Sequence, residues 1–187
     1  MRDVVLAMFM SVDGYIEGPD KQLVGPPYSP DLQKHWIDRN MGRTDLMMYG
    51  RVAYEGMAGY WTSPQANQAQ AAQLAGMEKL VFSRTLQQAD WGRVTIIRDD
   101  IAAEVNKRKL ESGKDMVLIA GAGIARTFLR LGLIDELSLL VFPTLLGSGT
   151  RLFDDDYPRT RLILAEALPF DSGAVRLTYR RADVAQP

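Results

Sequence analysis

The chain has 187 residues, which fits one domain spanning 1–187, and its content of 47% hydrophobic and 24% charged residues is ordinary for a globular protein. Its 22 basic and 23 acidic residues leave a net charge of −1 without a basic cluster, which argues against nucleic-acid binding. The lack of cysteine excludes disulfides and thiolate chemistry, and the single histidine, His35, argues against a zinc site, so we expect no bound metal.

Strands and helices are predicted to alternate over the first two thirds of the chain. Short continuous apolar runs are typical of buried strands, and they occur at 4–10, 45–49, 79–82, 94–97 and 116–120. An Asp13-Gly14 turn and a loop over 18–30 follow the first strand. Helical spacing with start and stop signals predicts five helices. These cover 31–41, Gly50 to about 57, Ser63-Pro64 to about 75 (after a turn at 58–63), 99–110, and Gly121 to Gly132.

The pattern changes in the last third of the chain. Residues 134–142, 161–168 and 174–180 read as strands without long helices between them. Alternation followed by a strand-rich tail predicts an α/β fold with a mixed, mostly parallel central sheet, antiparallel C-terminal strands and helices on both faces.

The apolar segments argue against export and against a membrane location. The N-terminus lacks the features of a signal peptide, and the apolar runs near 116–125 and 137–146 are too short to span a bilayer and are interrupted by Gly or Pro. We therefore expect a cytoplasmic protein without a membrane partner.

Three predicted strand ends carry residues suited to phosphate. Gly50-Arg51 and Gly121-Ala122-Gly123 each lead into a helix start, where free N–H groups and the helix dipole favour anions. Ser83-Arg84 offers a hydroxyl and a guanidinium, which suit a phosphate monoester. Because ligands of open α/β sheets bind beyond the carboxyl ends of the strands, we expect a polyphosphate ligand held jointly by these turns.

Five motifs in chain order resemble those of the dihydrofolate-reductase superfamily. The resemblance is greatest to the branch that contains the C-terminal reductase domain of the bifunctional riboflavin-biosynthesis enzyme. The motifs are MSVDGYI (10–16), GRVAYE (50–55), VFSRTL (81–86), IAGAG (119–123) and PTLLGSG (143–149) followed by Leu152-Phe153.

The resemblance implies a dihydrofolate-reductase-like three-layer fold and NADPH as cofactor. Gly50 and Arg51 would hold the adenine-side phosphates, Ser83 and Arg84 the 2′-phosphate, and Gly121, Ala122 and Gly123 the pyrophosphate. The backbone near Ala7 and Met8 would face the nicotinamide, and the loop at Gly147 would close near the cofactor. Two positions depart from the family pattern: Ala53 stands where Thr is frequent, and Ala122 where Gly is frequent.

The candidate catalytic residues are Asp13 and Glu55. Asp13 resembles the substrate-side aspartate of the family, where it could bind a pyrimidine or pterin-like edge or relay a proton, and it could equally bond its own turn. Glu55 is an alternative acid in the first turn of a helix.

The closest named activity is that of the riboflavin pathway, reduction of 5-amino-6-(5-phosphoribosylamino)uracil. Three alternatives stay open. One is a dihydrofolate-type pterin reductase, with Asp31 or Asp38 as the acid. The others are a non-catalytic NADP-binding sensor or partner module, and a structural homodimer built on the strand-rich tail. We expect a small-molecule substrate and a homodimer.

Overall fold

The computed structural model describes residues 1–23, 25 and 29–182, with the backbone but not the side chains of 36–38, 40 and 41. Within these residues the strands are Val4–Ser11 (β1), Tyr15–Glu17 (β2), Thr44–Gly50 (β3), Glu78–Phe82 (β4), Arg93–Ile97 (β5), Asp115–Ile119 (β6), Glu136–Phe142 (β7), Thr150–Arg151 (β8), Leu162–Pro169 (β9) and Val175–Arg181 (β10). The helices are Pro30–Arg43 (α1), Arg51–Trp61 (α2), Gln68–Gly76 (α3), Ile101–Leu110 (α4) and Ala122–Arg130 (α5).

The central sheet has eight strands in the order β5-β4-β3-β6-β1-β7-β10-β9. Neighbours from β5 to β7 are parallel, whereas β10 runs antiparallel to both β7 and β9. The first strand of the chain therefore lies in the middle of the sheet. This arrangement confirms the predicted α/β class, with its mixed, mostly parallel sheet and antiparallel C-terminal strands.

Helices cover both faces because successive side chains of each strand point to opposite sides. In β1, Leu6 and Met8 are 0% and 5% exposed and belong to the core that packs against α4 and α5. Ala7 points to the other face and belongs to the core of α2 and α3. Leu32 of α1 packs on that same side of the sheet, over β7.

A buried lysine of β4 binds the C-terminal end of α3. Lys79 is fully buried, and its ammonium donates to the carbonyl oxygens of Leu74 at 2.6 Å and Met77 at 2.8 Å. The ammonium also lies 4.6 Å from the ring centre of Trp91. Burial, with a contribution from nearby Arg93, lowers the pKa of Lys79 to about 8. The ammonium thus binds carbonyls at the C-terminal end of α3, where the Leu74 carbonyl also accepts from the N–H of Met77 at 3.3 Å.

The predicted elements are confirmed except around the second helix and the two shortest strands. The turn predicted at 58–63 is wrong, because α2 continues to Trp61. The helix start predicted at Ser63-Pro64 is also wrong: Ser63 Oγ donates to the carbonyl of Tyr60 at 2.7 Å, and α3 begins at Gln68 behind the cap residue Asn67. The pair β2–β8 was not predicted.

Among the described residues, none of the five helices has both the length and the continuous apolar character that a membrane span requires.

Candidate functional site

Three turns meet at one edge of the sheet. Gly50, the last residue of β3, pairs with the last residue of β4, and its neighbour Tyr49 pairs with the last residue of β6. Ser83 follows β4 directly and Gly121 follows β6 by two residues. Since neighbouring strands lie about 4.8 Å apart, the turns at Gly50, Ser83 and Gly121 form one continuous rim.

Two helices begin at this rim without a side-chain cap. Gly50 is the N-cap residue of α2 and Gly121 that of α5, and neither start carries a side-chain hydrogen bond. At the starts of α3 and α4, by contrast, the side chains of Asn67 and Asp100 accept hydrogen bonds from backbone N–H groups at 3.1 and 3.0 Å. The first N–H groups of α2 and α5 are therefore available to an anion.

The two uncapped helix starts lie against each other. A methyl group on Gly50 would lie 3.0 Å from Cγ2 of Ile124, in the first turn of α5. A methyl group on Gly121 or Gly123 would meet nothing within 4 Å. Ala122, 8% exposed, turns its side chain into the core. The packing of α5 thus accounts for glycine at 50, whereas no packing contact among the described residues accounts for it at 121 or 123.

A gap opens between β1 and β6 next to these turns. The β1–β6 pairing ends at Leu6, opposite Leu118, while β1 continues to Ser11 paired with β7 alone. The backbone of Ala7 and Met8 therefore has no strand partner on the β6 side. The helix α1 that follows β1 and the helix α5 that follows β6 lie on opposite faces, which makes this gap a topological switch point of the kind that binds ligands.

The corner after β4 carries two arginines. Ser83 Oγ accepts from the N–H groups of Thr85 at 3.2 Å and Leu86 at 3.0 Å, which fixes the turn. Arg84 is more than four-fifths exposed and lies 3.6 Å from the carboxylate of Asp99. Arg98 donates to the carbonyls of Arg84 and Leu86 at 3.2 and 3.0 Å. Sequence reasoning missed Arg98, although it directly follows the strand predicted at 94–97.

Arg51 and Glu55 lie on the first two turns of α2. The first turn of this helix holds no acidic residue, so Glu55 lies one turn later than expected. Arg51 Nη1 is 2.9 Å from Glu55 Oε2, and both side chains are about half exposed, at 45% and 46%. The pair has the i, i+4 spacing that brings side chains together on one face of a helix. Glu55 thereby orients the guanidinium close to the start of α2.

Asp13 joins the end of β1 to the loop after β7. Its carboxylate accepts from Ser11 Oγ at 2.6 Å, from the N–H of Leu146 at 3.1 Å and from the N–H of Gly147 at 2.7 Å. The hydroxyl of Ser11, followed by the Gly147 N–H, lowers the pKa of Asp13 to about 2. The carboxylate is thus ionised at neutral pH and its two oxygens already have donors.

The loop after β7 is held at a second point by β2 and β8. Thr150 Oγ1 donates to Glu17 Oε1 at 2.5 Å, and this hydrogen bond is the main cause of the lowered pKa of Glu17. Gly149 has a φ of +133°, and a side chain there would overlap the carbonyl of Glu17. Tyr15 Oη lies 3.3 Å from the carbonyl of Gly147, whose own φ is +71°. The loop with Gly147 therefore has a defined position beside the end of β1.

Asp31, one of the two acids considered for a pterin substrate, forms a hydrogen bond with the turn between β9 and β10. Asp31 lies at the start of α1, and its Oδ2 accepts from the N–H of Asp171 at 3.0 Å, in the turn between β9 and β10. The hydroxyl of Ser29, followed by that N–H, lowers the pKa of Asp31. The side chain of Asp38 lies outside the described residues.

Comparison with known proteins identifies relatives across the chain. Residues 2–176 match the family model described as the RibD C-terminal domain. YyaP of Bacillus subtilis, an uncharacterized protein, is 32% identical over 181 residues, which cover 95% of this chain and 94% of YyaP. Among solved structures, RibD of Acinetobacter baumannii has a TM-score of 0.70 at 18% identity, covering 97% of this chain and 58% of RibD.

A second solved structure is dihydrofolate reductase from Enterococcus faecalis, in complex with NADP(H). It has a TM-score of 0.64 at 16% identity and covers 97% of both chains. These likenesses confirm the dihydrofolate-reductase-like fold that the five motifs implied.

Proposed function

We propose, because the chain belongs to the family described as the RibD C-terminal domain, that it is an NADPH-dependent reductase of a small heterocyclic substrate. The closest named activity is reduction of 5-amino-6-(5-phosphoribosylamino)uracil. The proposal rests on one observation: at the end of β6, the uncapped starts of α2 and α5 lie beside a stretch of β1 that does not pair with β6.

The described residues fit the parts of a dinucleotide in order along the rim. The N–H groups at the starts of α2 and α5 suit the pyrophosphate, with Gly121 and Gly123 leaving room for close approach. Arg51, oriented by Glu55, suits the adenine-side phosphates. When bound, NADPH supplies a hydride to an electrophilic carbon of the substrate.

The corner after β4 suits the 2′-phosphate that distinguishes NADPH from NADH. Arg84 is exposed and its only ion pair among the described residues is a long one to Asp99, so its guanidinium is free to turn toward a phosphate. Arg98 braces the carbonyls of the same turn from β5. Planar guanidinium groups bind phosphate oxygens in pairs, which suits a terminal monoester.

On the substrate side, the stretch of β1 at Ala7 and Met8 lies beyond its last pair with β6 and borders the gap, where we place the nicotinamide end of the cofactor. Asp13 acts there as a positioning residue: it holds the loop at Gly147 against the end of β1. A held loop restricts water around the reacting carbon and fixes the orientation of the substrate.

A second candidate function, a dinucleotide-binding module without turnover, is favoured by the hydrogen bonds of Asp13, whose two carboxylate oxygens are taken up by Ser11, Leu146 and Gly147 within the protein. The dihydrofolate-type alternative depends on Asp31 or Asp38. Oδ2 of Asp31 is occupied by the N–H of Asp171, and the side chain of Asp38 lies outside the described residues. Steady oxidation of NADPH with the pyrimidine substrate, and not with dihydrofolate, would support the main proposal. Tight NADPH binding without oxidation by either substrate would support the binding module.

The decisive experiment is a calorimetric titration of NADPH and NADH against the wild type and Arg84→Ala. We expect the wild type to prefer NADPH by at least about tenfold, or about 1.4 kcal/mol, and the variant to lose most of this preference. Arg159→Ala, an exposed arginine outside the rim, is the matched control and should keep the preference. Equal affinity of the wild type for both dinucleotides would refute the 2′-phosphate site.

A further inference from the structure

Arg126 of α5 binds the main chain just after the loop 143–149. Its Nε donates to the carbonyl of Leu152 at 3.0 Å, and its Nη2 donates to the carbonyl of Arg151 at 2.6 Å. A guanidinium holds its donors in a fixed planar fork, which suits two neighbouring carbonyls better than a single ammonium does. The side chain is 27% exposed, so these hydrogen bonds are partly shielded from water. Arg126 thus joins the helix that begins at the rim to the segment that contains β8.

The two residues that Arg126 binds are also held by the turn after β1. Leu152 is fully buried, and its N–H donates to the carbonyl of Gly14 at 3.2 Å. Arg151 pairs with Tyr15 between β8 and β2, and its guanidinium lies 5.0 Å from the centre of the Tyr15 ring. These two residues are therefore bonded both to α5 and to the turn after β1.

The turn after β1 in its turn holds the loop that contains Gly147. Asp13, which precedes Gly14, accepts from the N–H groups of Leu146 and Gly147 at 3.1 and 2.7 Å. A continuous series of hydrogen bonds therefore leads from Arg126 through Leu152 and the turn to the loop. It connects the two ends of the candidate site, because α5 starts at the rim and the loop lies on the substrate side.

We propose that Arg126 is a positioning residue that couples the cofactor end of the site to its substrate end, an inference that rests on the proposed function. α5 begins after Gly121, in the turn proposed for the pyrophosphate, and Arg126 lies in the second turn of this helix. Phosphate bound to the first N–H groups fixes the position of α5. Arg126 fixes residues 151–152 relative to α5, so the loop at Gly147 is held more firmly when NADPH is bound than when it is absent.

Three variants separate this role from a purely structural one. Arg126→Met keeps much of the side-chain volume and removes every donor, whereas Arg126→Lys keeps the charge and a single ammonium. Arg130→Met is the matched control, because Arg130 lies on the same helix and binds Asp154 at 2.7 Å, outside the series of hydrogen bonds. If Arg126 only stabilised the fold, its loss would lower the melting temperature and leave the response of the loop to NADPH intact. Thermal unfolding should show that each variant is folded.

The test is limited proteolysis by thermolysin with and without saturating NADPH. This protease cuts before leucine, and Leu145 in the loop is 73% exposed. We expect NADPH to slow cleavage of the wild-type loop at least about fivefold, the lower end of typical coupling between sites. In Arg126→Met we expect less than about twofold slowing, in Arg126→Lys an intermediate value, and in Arg130→Met the wild-type response. Cleavage at sites outside 143–149 reports general opening of the protein and serves as the internal reference.

Calorimetric titration with NADPH distinguishes this inference from the proposed function. Arg126→Met should still bind NADPH, less than about tenfold more weakly than the wild type, because Arg126 is not one of the proposed phosphate contacts. A wild type that does not bind NADPH would overturn the proposed function and this inference with it. NADPH that binds both proteins and protects their loops equally would overturn this inference alone. Equal loss of protection in Arg130→Met would overturn the assignment to Arg126.

Discussion

Glycine at 121 provides the sharpest test of the rim as a phosphate site, because no packing contact among the described residues requires it. Gly121 has φ −78° and ψ 171°, which alanine adopts without strain, and an added methyl group would meet nothing within 4 Å. Gly121→Ala restricts the unfolded chain, which stabilises a protein by about 0.4 to 1 kcal/mol. It also replaces a favourable N-cap residue by a poor one, which costs a similar amount.

We therefore expect the free protein to unfold at almost the same temperature after Gly121→Ala. A net change within about 0.5 kcal/mol corresponds to a shift of the melting temperature within about 2 °C for a chain of this length. Binding of NADPH should behave differently, since the methyl group occupies the space above the first N–H groups of α5. We expect the affinity to fall at least about tenfold, or about 1.4 kcal/mol.

Gly50→Ala is the matched comparison. Its methyl group would lie 3.0 Å from Cγ2 of Ile124, so this side chain would have to give way by a few tenths of an ångström. We expect a loss of about 1 to 3 kcal/mol of stability from overpacking. The assays are differential scanning calorimetry of the free variants and calorimetric titration with NADPH. Unchanged NADPH affinity of Gly121→Ala would refute the assignment of this turn to the pyrophosphate.

Three further predictions concern Asp13, Lys79 and the start of α3. Asp13→Asn should speed proteolysis within 143–149 and weaken NADPH binding several-fold. Folding lowers the pKa of Asp13 from 3.8 to about 2, so its carboxylate stabilises the wild type above pH 3.8 and loses this contribution as the pH falls toward 2. The difference in unfolding free energy between the wild type and Asp13→Asn should therefore shrink over this pH range. A difference that does not change with pH would contradict this expectation. Lys79 binds a proton less readily when folded, so stability should rise as the pH increases from about 8 toward 10.5, and Lys79→Met should abolish this slope in urea unfolding. Asn67→Ala should lower the free energy of unfolding by about 1 kcal/mol in the same urea assay, because the N-cap hydrogen bond of α3 is lost, and it should leave NADPH affinity unchanged. A change in affinity would show that α3 contributes to the site.

The sequence was sufficient to predict the elements whose signals are local. Each buried parallel strand is a continuous apolar run, and Gly132 ends α5 with a φ of +68° as its position predicted. The start of α3 could not be predicted because two local signals competed. Ser63 before a proline has the composition of an N-cap, but its hydroxyl bonds backward to α2, and Asn67 caps the next helix instead.

The candidate site was predicted where it depends on strand order and missed where it depends on distant contacts. The turns at Gly50, Ser83 and Gly121 were expected to meet because they end parallel strands, and the registers of β3, β4 and β6 bring them together. Asp13 bonds residues more than 130 positions away, and β2 pairs with β8 over a similar separation. Neither contact leaves a periodic pattern in the sequence.

The central place of β1 has a consequence for the order in which the protein can fold. Val4 pairs with Met116 and Val5 with Glu136, so a nascent chain of the first hundred residues contains β1 but neither of the strands that flank it. The apolar strand β1 remains unpaired until residues 116–142 have left the ribosome. Contacts between residues so far apart in the sequence slow folding. During synthesis, this apolar strand is therefore exposed to aggregation until β6 has been made.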